Sequence, residues 1–243
     1  MNIKKLFRRQ KENPPRCSAV IVAAGSSQRM GSDKAMMNLG EMPVIARTLL
    51  AFENCPCVDE IVVVTRMDLI VDIADICKRY GISKASRICC GGKTRMESAL
   101  AGVSELSRDS KLIAIHDGAR PLVTNELIER SVNAAAEYHA AAPAIPSTDT
   151  LKAVDENGFV TGTVDRARTM RVQTPQVFSA DVIKGALSKA VKDGLELTDD
   201  CSAVEIMGIR TKLVEGDPEN IKLTTPDDVM IAAAILKRRG DAE

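Results

Sequence analysis

The sequence predicts an α/β domain: a mostly parallel sheet with helices on both faces, and a projecting β-arm. Three observations carry this expectation. Short apolar runs alternate with segments of helical spacing from Cys17 to about Ala142. Several of those runs stop at glycine or small polar residues, as buried parallel strands do. The rhythm then breaks over about residues 143–178, where extended pieces flank a turn signal at "DENG".

Each element has its own reason. "CSAVIVAA" is an apolar run bounded by Gly25, hence a buried strand. "PVIARTLLAFENC" has helical spacing with Pro43 near its start. "EIVVVT" is the next buried strand, and "DLIVDIADICKRYG" is a helix closed by Gly81. "ASRICC" is a strand, and Gly91-Gly92 form the turn after it. In "TRMESALAGVSEL", Thr94 and Glu97 are spaced as a capping box. "KLIAIHD" is a strand and "TNELIERSVNAAAEYHA" a helix. Repeated βα units imply a parallel sheet covered on both sides. Beyond the arm come helices at "SADVIKGALSKAVKDG" and "DDCSAVEIMG", strands at "TKLVEG" and "NIKLT", and a last helix at "PDDVMIAAAILKRR". An arm of this kind cannot bury both its faces alone, so it is expected to pack on a second subunit.

Composition narrows the function. The 243 residues carry 33 basic and 33 acidic side chains, so no overall positive field exists to hold nucleic acid. Aromatics are 2% and Trp is absent, which removes the stacking platforms of single-strand binders. No apolar stretch is long enough to span a bilayer. Seven cysteines without C-x-x-C spacing point to reduced thiols in a cytoplasmic protein. Residues 1–16 are read as a basic, solvated extension ending at Pro14-Pro15, and residues 17–240 as one domain.

Ligands of open parallel sheets bind beyond the carboxyl ends of the strands. The loop from Gly25 to Lys34 lies at such an end. It fits neither the Walker pattern nor G-x-G-x-x-G. Yet Gly25, Ser26 and Ser27 can bring backbone N–H groups close to phosphate oxygens, and Arg29 and Lys34 add full charges. In "GGKTRMES", Gly91 and Gly92 can pass close to a flat base and Ser98 offers a hydroxyl. In "HDGARP", Asp117 is a hard oxygen ligand suited to Mg²⁺, and Arg120 can hold a second anion. His116 is expected to be structural.

The ordered set "AAGSSQRM", "DK", "GGKTRMES", "HDGARP", "DTLK", "TVDRAR", "QTPQVF", "LTDD" and "LVEGDPENIKLTTPDD" resembles the 2-C-methyl-D-erythritol 4-phosphate cytidylyltransferases of the non-mevalonate isoprenoid pathway. The likeness spans nearly the whole chain except the basic extension. It implies a Rossmann-like nucleotidyltransferase core and a homodimer joined through the β-arm. It implies that CMP passes from CTP to methylerythritol phosphate with release of pyrophosphate, with Mg²⁺ as cofactor. Ala23, Ala24, Gly25 and Ser26 then lie along the nucleotide, with Gly91, Gly92 and Ser98 at the base and Asp117 near ribose and metal. Arg29, Lys34 and Lys222 match the catalytic cations. Arg120, Thr150, Arg166, Thr174 and Lys222 match acceptor-binding residues, with the arm's Arg166 and Thr150 reaching the neighbouring subunit's site. The loop before Lys34 is shorter than the family often has, and Lys93 stands beside the presumed base turn. A ribitol 5-phosphate cytidylyltransferase and a non-catalytic nucleotide-binding module on the same fold are the alternatives.

Overall fold

The computed structural model describes residues 14–25 and 34–240. The expectations for the basic extension, and for Ser26, Ser27 and Arg29, lie outside the described residues, except for the last three residues of the extension. The elements in chain order are β1 (Cys17–Val22), β2 (Asn38–Leu39), β3 (Met42–Pro43), α1 (Val44–Glu53), β4 (Val58–Thr65), α2 (Ile70–Arg79), β5 (Ala85–Cys90) and α3 (Arg95–Glu105). They continue with β6 (Leu112–Asp117), α4 (Asn125–Tyr138), β7 (Ala140–Pro146), β8 (Lys152–Val154), β9 (Val160–Thr163), β10 (Met170–Val172) and β11 (Gln176–Ser179). The C-terminal part holds α5 (Ala180–Lys192), α6 (Asp200–Ile206), β12 (Lys212–Glu215) and α7 (Pro226–Arg239).

Eight strands form one sheet in the order β10-β7-β11-β6-β1-β4-β5, with β12 on β7. β1 pairs in parallel with β4 and β6, and β4 with β5. β11 runs antiparallel to both β6 and β7, so β7 points the same way as β6. The sheet divides the core because strand side chains alternate. Ala19, Ile21, Ile61 and Val63 face a cluster with Leu49, Phe52, Ile73 and Ile128 from α1, α2 and α4. Val20, Val62 and Val64 face Met96, Val103, Ile183 and Val204 from α3, α5 and α6. A third cluster seats Ala232 and Leu236 of α7 on Leu39, Val44, Leu122 and Leu223. At Gly102 a Cβ would lie 2.4 Å from Val20 and 2.5 Å from Val64, so glycine lets α3 press onto the sheet.

Three segments depart from expectation. The helix at "TNELIERSVNAAAEYHA" stops at Tyr138, where His139 adopts φ 67°, and Ala140 already belongs to β7. "NIKLT" is not a strand. Its backbone bonds to a loop: Leu223 N–H donates to the Ala119 carbonyl, and Arg120 donates to the Asn220 carbonyl. The range 143–178 is only partly off the sheet, since β7, β10 and β11 join the main sheet. What leaves it is the β8–β9 hairpin, which pairs only with itself. Its turn is set by the Asp155 carboxylate, which accepts from Asn157 and Phe159 N–H groups, and by Gly158 at φ 84°.

Candidate active site

Backbone hydrogen bonds carry the sheet ladder past the strand ends and align the turns on one rim. Ala23 N–H donates to Val64, Gly91 N–H to Thr65, and Gly118 N–H to Val22. Between these turns lies a cleft of about 570 Å³. Ala23, Ala24, Gly25, Lys34, Gly92, Lys93, Arg95, Ser98, Asp117 and Lys222 all line it. At Gly91 a Cβ would lie 2.4 Å from Ala24 Cβ and 2.7 Å from Ser98 Oγ, so only glycine lets the first two turns meet. The Thr94 hydroxyl accepts from Glu97 N–H and the Glu97 carboxylate accepts from Thr94 N–H, completing the expected capping box. Glu97 also accepts from Lys93 N–H, and Ser98 Oγ accepts from Gly92 N–H while donating to the Thr94 carbonyl. The turn is therefore shaped by its own helix.

Asp117 is the electrostatic centre of the wall. Its Oδ2 lies 3.0 Å from Lys222 Nζ and 3.5 Å from Arg120 Nε, and its Oδ1 lies 3.8 Å from Arg95 Nη2. Burial pushes the carboxyl up, but Lys222, Arg95 and Arg120 together overcome it and hold it well below the usual carboxylate range. Asp117 is therefore ionised at every pH of interest.

A directional relay fixes the Asp117 backbone. Asp117 N–H donates to Thr174 Oγ1 at 3.1 Å. Thr174 Oγ1 is 3.0 Å from His116 Nδ1, and His116 Nε2 is 3.2 Å from the Arg120 carbonyl. A carbonyl only accepts, so Nε2 carries the proton and Nδ1 accepts from the threonine. Burial pushes the imidazole down to about 4, against the attraction of Asp117. His116 is neutral, packed on the Phe52 ring, and structural, as the sequence suggests.

Arg120, Thr150, Arg166 and Thr174 do not line the cleft of their own chain. Arg120 is mostly buried and donates to the Asn220 carbonyl. The Thr174 hydroxyl is committed to the relay just described. Thr150 and Arg166 are exposed and do not line this cleft. Arg166 sits in a short 3-10 turn at the base of the hairpin.

Sequence reasoning assigned nothing to Arg95 or Asp200. Arg95 lines the cleft and grips the fully buried Asp200 with both ends of its fork, at 2.8 and 2.6 Å. The signal was a charged residue inside "LTDD" that precedes an apolar helix, but nothing in the sequence says which cation answers it.

Comparison with known proteins agrees with this geometry. Residues 17–238 match the family described as 2-C-methyl-D-erythritol 4-phosphate cytidylyltransferase. A relative of that name from Caldanaerobacter subterraneus subsp. tengcongensis is 41% identical over 91% of this chain and 99% of its own length. Another from Halalkalibacterium halodurans is 42% identical over 91% of this chain and 97% of its own. Among solved structures, a 4-diphosphocytidyl-2C-methyl-D-erythritol synthase from Anaerococcus prevotii superposes with TM-score 0.82 at 32% identity, covering 93% of this chain and 97% of that one. The cytidylyltransferase from Thermus thermophilus gives 0.74 at 30%, covering 91% and 99%. With the cleft, its cations and these matches together, the chain belongs to the 2-C-methyl-D-erythritol 4-phosphate cytidylyltransferase family.

Proposed function

We propose that this cleft transfers CMP from CTP to 2-C-methyl-D-erythritol 4-phosphate in isoprenoid synthesis. The observation that carries the reading is the meeting of four separate segments, at Ala23–Gly25, Gly92–Ser98, Asp117 and Lys222, around one cation-rich cleft. An acceptor phosphate oxygen attacks the α-phosphorus of CTP, a new P–O bond forms, and the bond to pyrophosphate breaks. The attacking oxygen is already anionic, so no strong general base is needed, which agrees with a neutral, buried His116. The obstacle is anion meeting anion, and positioned cations are the answer. Lys34 and Lys222 supply two of them from the cleft wall, and Arg29 is the third by family likeness.

Magnesium fits as a companion of the nucleotide. Asp117 is one hard, ionised donor, and Mg²⁺ is commonly held by one or two carboxylates plus substrate phosphates. Among the described residues no cluster of three or more protein donors could hold a metal unaided. The ion would neutralise charge on the leaving phosphates.

The acceptor side we assign to a homodimer, with Arg166 and Thr150 of one arm serving the partner's cleft. The exposed Val154, Phe159 and Val160 of the hairpin support a partner surface. A cytoplasmic setting is supported by seven free cysteines, five of them buried. No helix among the described residues is long and apolar enough to cross a membrane. The test is pyrophosphate release from CTP with methylerythritol phosphate and with ribitol 5-phosphate in parallel. Release with the first acceptor is expected. Preference for ribitol phosphate, or CTP binding without release, would overturn the assignment.

A further inference from the structure

Two strings of the sequence, "QTPQ" and "LTDD", do more than supply Thr174 to the relay. Gln176 begins β11, directly opposite Ile115 of β6. Its side-chain carbonyl accepts from the N–H groups of Asp200 and Cys201, both at 3.0 Å. Its amide donates to the Asp199 carboxylate at 2.9 Å. The other oxygen of Asp199 caps α6 by accepting from Ser202 N–H at 3.0 Å. A central strand thereby pins the start of α6, and with it the Asp200 carboxylate.

Asp200 has no solvent exposure, yet both of its carboxyl oxygens accept from the Arg95 guanidinium. Burial pushes its carboxyl up, and Arg95 opposes that push. An arrangement this costly calls for a reason, since a buried ion pair is weak evidence for stability. The reason lies on the other side of Arg95. Asp117 Oδ2 is taken by Lys222 and approached by Arg120, whereas Oδ1 faces Arg95 Nη2 at 3.8 Å, beyond hydrogen-bond reach. Arg95 Nη2 instead lies 2.6 Å from Asp200.

We propose that Asp200 is a positioning residue for the nucleotide site: by taking both ends of the Arg95 fork, it keeps that guanidinium on the cleft wall and off Asp117 Oδ1. That oxygen then stays open as an acceptor for the donor or cation that arrives with the nucleotide. Loss of the Asp200 charge lets Arg95 close onto Asp117 and spend the oxygen. The inference rests on the reading of the cleft as a CTP site.

The experiment measures the CTP dissociation constant by calorimetry, with Mg²⁺ and in EDTA, for the unaltered chain, Asp200→Asn, Arg95→Gln and the double variant, with Tm recorded for each. Asp200→Asn should weaken CTP about tenfold. Weakening in Mg²⁺ alone marks the open oxygen as a partner of the metal, and weakening in both conditions marks a partner on the nucleotide; either supports the proposal. In the Arg95→Gln background, Asp200→Asn should change the constant less than twofold, because Asp200 acts through Arg95. Additive losses, or a lowered Tm with unaltered CTP binding, would overturn it. Should Asp200→Asn not fold, Arg95→Lys puts the same question, since lysine keeps the charge but not the fork. Unaltered CTP binding there sinks the proposal. If the unaltered chain binds no CTP, the reading of the cleft falls as well; if it binds CTP and the variants match it, only the positioning role falls.

Discussion

The cleft wall and the β8–β9 hairpin are built on opposite plans. In the wall, Asp117, His116 and Thr174 are buried and linked by short polar contacts, and the buried Asp200 holds Arg95. In the hairpin, Val154, Phe159 and Val160 are more than half exposed, and the two strands pair only with each other. A wall of that kind holds its shape with nothing bound, so its cations are placed before substrate arrives. A hairpin of that kind leaves apolar area exposed, which the proposed partner surface would cover. Under the proposed function, the contrast corresponds to nucleotide binding by one chain and acceptor binding by two.

The largest test of this contrast is removal of a cleft cation. Lys34→Ala and Lys222→Ala should each lower kcat about a hundredfold, roughly 3 kcal/mol of barrier, while stability moves far less. Steady-state kinetics beside denaturant melts would show it, and near-normal turnover in both variants would break the assignment.

Acid should strike the wall next. The His116 imidazole sits at about 4 in the fold against an ordinary 6.5, so the fold favours the neutral ring. The sign follows: this contribution is complete above pH 6.5 and is lost as pH falls toward 4. The loss by pH 4.5 should be about 2–3 kcal/mol. Asp117, depressed rather than raised, stays ionised throughout that window and adds its own loss only below 3.8. Urea unfolding at pH 7 and 4.5 measures the slope. His116→Gln should flatten it, and an unchanged slope would show that the ring is not the titrating group.

On the hairpin side the effects should be smaller and selective. Arg166→Ala should raise the acceptor KM about tenfold, leave the KM for CTP alone, and shift stability by no more than about 0.5 kcal/mol. An unaltered acceptor KM would dissolve the two-chain site. Replacing Phe159 and Val160 by Ser should weaken self-association about tenfold with little change in the fold of the single chain. Sedimentation across a concentration series would reveal it, and an unaffected mass distribution would move the subunit contact elsewhere.

The sequence was most legible where a local rule and the tertiary demand coincide. The run at β1 and the Thr94–Glu97 box are read from neighbours alone. β7 was hidden because alanine favours helices and the preceding segment is helical. Its first three alanines have no exposure at all: Ala140 and Ala142 face one cluster and Ala141 the other. Small side chains serve there because helices crowd the strand from both sides. "NIKLT" alternates like a strand, yet its neighbour is a loop. In the cleft, Asp117 stood out as an acid at a strand end, but its dependence on Arg95 and Asp200 did not. Those two are separated by 105 positions, and only the fold brings them together.

The one-way relay through His116 has a consequence for how the enzyme meets its surroundings. Every proton in it is already spoken for, and the imidazole has no second state to offer near neutrality. The catalyst thus has no ionisable dial of its own at that place. A rise of rate with alkalinity through the mildly acidic range is then expected from the phosphates of the substrates, whose last ionisations fall near 6. The traveller, and not the host, reads the acidity of the cell.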